Sequence, residues 1–122
     1  MFRAYALAAA VSGFLFVAIG AFGAHGISDM RAKGLIETAT HYQFMHTMAV
    51  LAALTFWRCW GAPRARFAPP LFFAGIVLFC GSLYAMALGA SPWFGAITPA
   101  GGALFLSGWV VLAWAALSLR SP

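Results

Sequence analysis

The chain has 122 residues, 64% of them hydrophobic and only 7% charged, a balance that excludes an ordinary soluble domain and leaves no length for one beside membrane spans. The net charge of +5 rests on seven basic residues against two acidic ones, and loop arginines at this density are what membrane topology alone demands, so nucleic acid is excluded as a partner. Cys59 and Cys80 have no close pairing, which excludes a zinc ribbon or a dithiol motif; both are expected as buried thiols at different depths, without a disulfide.

The first apolar run, Ala4 to Ala24, has the ~20 residues that a helix needs to cross a hydrocarbon core of about 30 Å. Arg3 before it and the small residues Ala21 to Ala24 at its end imitate a secretory signal, but the segment is read as a retained span. Glu37 to Cys59 forms the second span, with Thr38 to Trp57 as its apolar part. Between Phe67 and Leu119 no charged side chain occurs, and one helix over that stretch would reach roughly 80 Å. It must therefore fold back. Gly89, Pro92, Gly95 and Pro99 mark the break, and Trp93 supplies a ring suited to the headgroup level, which leaves spans at Phe67 to Leu88 and Pro99 to Leu119.

Backbone groups in lipid must be satisfied internally, and uninterrupted apolar runs select helices over a closed barrel. The expected fold is an all-α integral membrane four-helix bundle, one transmembrane domain over residues 1–122 with spans near 4–24, 37–59, 67–88 and 99–119. Ser12-Gly13 aligns with Ala74-Gly75, and Ala18, Gly20, Phe22 and Gly23 align with Cys80, Ser82, Tyr84 and Ala85; this faint pattern suggests a parallel duplication of a helical hairpin. Arg3, Arg58, Arg64, Arg66 and Arg120 fall on one side of the four-span scheme. Arg31 and Lys33 fall on the other, with Asp29 and Glu37. The positive-inside rule then places both termini in the cytoplasm.

Helices in lipid pack through small residues, and the expected contacts are Gly13, Gly20 and Gly23 in the first helix and Gly101 and Gly102 in the fourth. Gly81, Ala85 and Gly89 stand at i, i+4, i+8 and read as a packing stripe on the third. Gly20 to Gly23 follows no strand and opens no helix, so it cradles no phosphate.

Polar residues within the spans gather toward one side. His25, Glu37, His41, Gln43, His46, Ser82, Tyr84 and Thr98 are expected to share an outward-facing polar pocket, with His25, His46 and Tyr84 mutually close. Glu37 and His41 are i, i+4 neighbours able to pair. Three readings stay open: structural or interfacial satisfaction, a site for a quinone, lipid headgroup or other small molecule, and a metal or haem site on His25, His41 and His46. The spacing weakens the last, because His41 and His46 at i, i+5 lie about 140° apart around a helix. No metal set and no cofactor are assigned. Without a Ser-His-Asp set, a carboxylate pair, a P-loop or a dinucleotide fingerprint, the expectation is a protein that is not an enzyme.

Four strings in order, Gly20-Ala21-Phe22-Gly23-Ala24-His25-Gly26, Thr38-Ala39-Thr40-His41-Tyr42-Gln43-Phe44-Met45-His46, Gly81-Ser82-Leu83-Tyr84-Ala85 and Ile97-Thr98-Pro99-Ala100-Gly101-Gly102, cover nearly the whole chain. Together they resemble the YgdD-like family of small four-span membrane proteins. The resemblance implies a bacterial cytoplasmic (inner) membrane location and supplies no activity. It also implies an uncharged polar residue in relatives at His41, which favours His25 and His46 over it. The expected role is a non-enzymatic accessory or assembly component of a larger membrane complex, or a self-associating one. The alternative is a small-molecule binding protein or minor transporter that uses the outward pocket.

Overall fold

Helix is the sole regular structure in the computed structural model, which describes residues 1–120. The elements are α1 (Phe2–Gly26), α2 (Met30–Arg58), α3 (Ala68–Gly75), α4 (Gly81–Ala87) and α5 (Thr98–Ala116). A π-helical turn, Ile76–Cys80, fuses α3 and α4 into one rod, and 3-10 turns at Pro63–Phe67 and Pro92–Ala96 lead into the third and fourth rods. The result is a four-rod all-α bundle in which α1 pairs most closely with α2, and the third rod with α5.

Three segments, Phe2–Gly26, Pro63–Ala87 and Pro92–Ala116, are long and apolar enough to cross a membrane. α2 has the length, 29 residues or roughly 43 Å, but carries Gln43, His46 and Thr47 near its middle. Its position explains why. α2 is the inner rod, in contact with α1 on one flank and α3, α4 and α5 on the other, so Gln43, His46 and Thr47 meet protein and not lipid.

α2 begins at Met30, earlier than the expected Glu37, because the Asp29 carboxylate accepts a hydrogen bond from the Ala32 N–H at 2.9 Å and caps the helix. Arg31 and Glu37 then lie exposed on helical turns and not in a loop. Only Ile27 to Asp29 separate α1 from α2.

The small residues that admit close packing differ in part from the expected set. A methyl group on Gly75 would strike the Phe105 ring, one on Gly108 the Phe72 ring, and one on Gly101 the backbone of Phe79; on Gly23 it would lie 2.7 Å from the Ile36 side chain. Gly13, Gly20 and Gly102 make ordinary contacts at 3.9, 3.9 and 4.0 Å. The stripe on the third rod is corrected: Gly81 and Gly89 meet nothing within 4 Å, and Ala85 is half-buried. Gly89 instead ends α4. With φ +100° it turns the chain so that its N–H reaches the Met86 carbonyl (3.2 Å) and the Ala90 N–H the Ala85 carbonyl (3.0 Å), a Schellman closure that favours glycine. Cys80 is buried as expected, whereas Cys59 is exposed because it lies just past the end of α2; both are free thiols.

Candidate functional site: a buried polar core

Gln43 sits about 20 Å along α2 from Met30, well inside the bundle and 4% exposed. Its Nε2 donates to the Ser12 carbonyl at 3.1 Å and to Ser12 Oγ at 3.0 Å, and its Oε1 accepts from the Tyr84 hydroxyl at 2.6 Å. Ser12 Oγ shares a further hydrogen bond of 2.8 Å with Thr47 Oγ1. One amide thus ties α1, α2 and α4 together.

His46, one turn further along α2, faces the opposite partners. The indole N–H of Trp109 can only donate, and it lies 3.1 Å from His46 Nε2, so that nitrogen is the acceptor. The ring proton therefore resides on Nδ1, which donates to the Tyr42 carbonyl at 2.7 Å. The imidazole stacks on Phe105 with centroids 3.6 Å apart and planes at 9°, and is flanked by Tyr42 (6.0 Å) and Phe72 (5.7 Å). Both nitrogens are occupied and the ring faces are covered by aromatics.

A third pair ties the third rod to α5. Ser82 Oγ bonds Thr98 Oγ1 at 2.6 Å and donates to the Phe79 carbonyl at 2.9 Å. Phe79 belongs to the π-helical turn, and the bond to its carbonyl is the back-bond that a serine hydroxyl makes three residues along a helix.

The expected single outward pocket is thereby divided. Gln43 joins Tyr84, Ser82 joins Thr98, and His46 joins neither pair. His25, Glu37 and His41 are exposed. His25 lies at the end of α1, next to the start of α2, whereas His46 lies about 24 Å down that helix from Met30, so the two are not neighbours. The physical reason is helix length: α2 starts at Met30 and not at the expected Glu37, so Gln43 and His46 lie near its middle and not in its first turns. Ser12, Thr47, Tyr42 and Trp109 complete the core and were not among the expected residues.

Among the described residues no buried side-chain nitrogen or oxygen lacks a hydrogen-bond partner, and no three His, Cys, Asp or Glu residues gather as metal ligands. The donor set argues in the same direction, since the Nε2 lone pair of His46 is taken by Trp109. An arrangement of this kind can fix helix register and orientation.

Residues 19–102 match the family model described as "Protein of unknown function (DUF423)". The chain is 47% identical to a UPF0382 membrane protein of Haemophilus influenzae, over 96% of each chain. It is 39% identical to the UPF0382 inner membrane protein YgdD of Escherichia coli K12, over 92% of this chain and 88% of that one. A UPF0382 membrane protein of Staphylococcus epidermidis is 38% identical over 94% of this chain and 96% of its own. No solved structure matches the chain.

Proposed function

The chain belongs to the DUF423 family of membrane proteins of unknown function, and from that premise we propose that it is a non-catalytic accessory or assembly component of a larger membrane complex. The observation that carries this reading is the saturation of the buried polar core. Gln43, His46, Ser12, Thr47 and Tyr84 are all committed to one another or to the bundle, so the inner surface holds helices together. What remains for interaction is the outer surface, where Leu7, Val11, Phe14, Leu106, Val110 and Trp114 are exposed on α1 and α5. In the proposed orientation both termini and the arginine-rich end lie on the cytoplasmic side of the inner membrane, as the distribution of basic residues favours.

One observation favours a second reading, the binding of a quinone or lipid. An apolar groove of about 200 Å³ runs between α1, α2 and α4, lined by Ile19, Phe22, Ile36, Leu88 and Tyr84. Gentle detergent extraction followed by native mass spectrometry separates the two. The accessory role predicts a stable protein partner that co-purifies. A stoichiometric quinone without a protein partner would replace that role with the second reading.

A further inference from the structure

Five of the six arginines collect at one end of the bundle, and no acidic side chain is there to meet them. The Arg58 guanidinium lies over the Phe2 ring at 4.6 Å, Arg64 over Trp114 at 4.7 Å and Arg66 over Phe67 at 4.7 Å. The Arg120 N–H bonds the Trp60 carbonyl at 3.0 Å, which brings the last arginine to the same end as Arg3. The only acids of the chain, Asp29 and Glu37, stand at the far end of α2. Stacking on an aromatic face fixes a guanidinium in place while its N–H groups keep their capacity to donate.

Beside one of these arginines the bundle is not closed. A crevice of about 310 Å³ opens between the start of α1, the end of α2 and the start of α3, lined by Met1, Tyr5, Trp57, Arg66, Phe67 and Pro70. Its chemistry is divided, with a cation at the rim and aromatic and aliphatic surface below. A phospholipid divides in the same way. Basic crevices between membrane helices are suited to anionic headgroups, and a single phosphate on Arg66 would let the glycerol and upper acyl carbons lie against Tyr5, Trp57 and Pro70.

We propose that the crevice between Arg66, Trp57 and Tyr5 is a binding site for one anionic phospholipid, its phosphate held by Arg66. This goes beyond the accessory role and does not depend on it. The test uses the purified full-length protein in detergent with equal amounts of phosphatidylglycerol and phosphatidylcholine, read by native mass spectrometry. Wild type should retain one phosphatidylglycerol with about fivefold preference, the factor expected for one basic side chain near anionic lipid. Arg66→Gln should abolish the preference while leaving the melting temperature unchanged, because Arg66 is exposed. Arg64→Gln, which removes the same charge on the α5 side, should keep it, and Arg120→Gln serves if Arg64→Gln does not fold. Equal loss in Arg66→Gln and the control would mean diffuse charge and no site, and overturns the proposal. So would an absence of preference in wild type, or displacement of the lipid by millimolar inorganic phosphate.

Discussion

Trp109 holds His46 in one tautomer across 63 residues of sequence, its indole N–H directed at Nε2 at 3.1 Å. Trp109→Phe keeps an aromatic ring but removes the donor with part of the indole, leaving a buried acceptor without a partner. We expect a loss of about 1 to 2 kcal/mol, read by thermal unfolding in detergent, and nitrogen NMR of wild type showing the proton on Nδ1. Unchanged unfolding would mean that stacking on Phe105 alone positions the ring.

Gln43 is the hub of the other half of the core, so its loss should be felt through its partners. Gln43→Leu strands the Tyr84 hydroxyl and leaves Ser12 Oγ with Thr47 as its one side-chain partner, and should cost roughly 1 to 3 kcal/mol. Adding Tyr84→Phe to that variant should cost less than Tyr84→Phe does in wild type, since the bond is already gone. Strict additivity of the two substitutions would contradict the 2.6 Å contact between them.

Glycines of similar appearance in the sequence should respond very differently. Gly101→Ala forces a methyl group onto the Phe79 backbone, where neither rod can yield easily, and is expected to cost about 1 to 3 kcal/mol or to prevent folding. Gly81→Ala meets open space and, within a helix, should be neutral or slightly stabilising. If the order of the two melting temperatures were reversed, the third rod would be rotated from its position here.

Topology can be read from the native thiols. Cys59 is exposed at the arginine-rich end and Cys80 is buried, so a membrane-impermeant maleimide should label Cys59 alone. In the proposed orientation it should do so only after the cells are opened. Labelling of intact spheroplasts would reverse the orientation, as would a cytoplasm-dependent reporter fused after Pro122 that stays inactive.

The four rods were legible because charge and apolar length are nearly sufficient to draw them. The start of α2 was not, since Asp29 lies in a polar stretch that reads as loop until the cap is recognised. The polar core was half legible. Gln43, His46 and Tyr84 stand out as costly residues in a span, but Ser12 and Thr47 do not, because hydroxyls in membrane helices usually bond their own backbone. Thr40, Thr55 and Ser107 do this, to carbonyls three or four residues back. Trp109 looked like one more aromatic. The available signal was spacing: Tyr42 and His46 share a helical face at i, i+4, as do Phe105 and Trp109, and the two faces meet. The empty surroundings of Gly81 could not be foreseen, since small-residue spacing gives no direction of the partner helix.

The inner position of α2 bears on how the chain enters the membrane during synthesis. A helix with glutamine and histidine near its centre partitions poorly alone, and the three-residue turn at Ile27 to Asp29 lets it enter as a hairpin beside apolar α1. The Ser12 and Gln43 contact can form within that hairpin. His46 Nδ1 finds the Tyr42 carbonyl within α2, but its Nε2 has no such early partner. At about 5 to 20 residues per second, the ribosome needs roughly 3 to 13 seconds more to deliver Trp109. Until then the imidazole waits in a half-built bundle, and arrival of the last helix is the step that seals it.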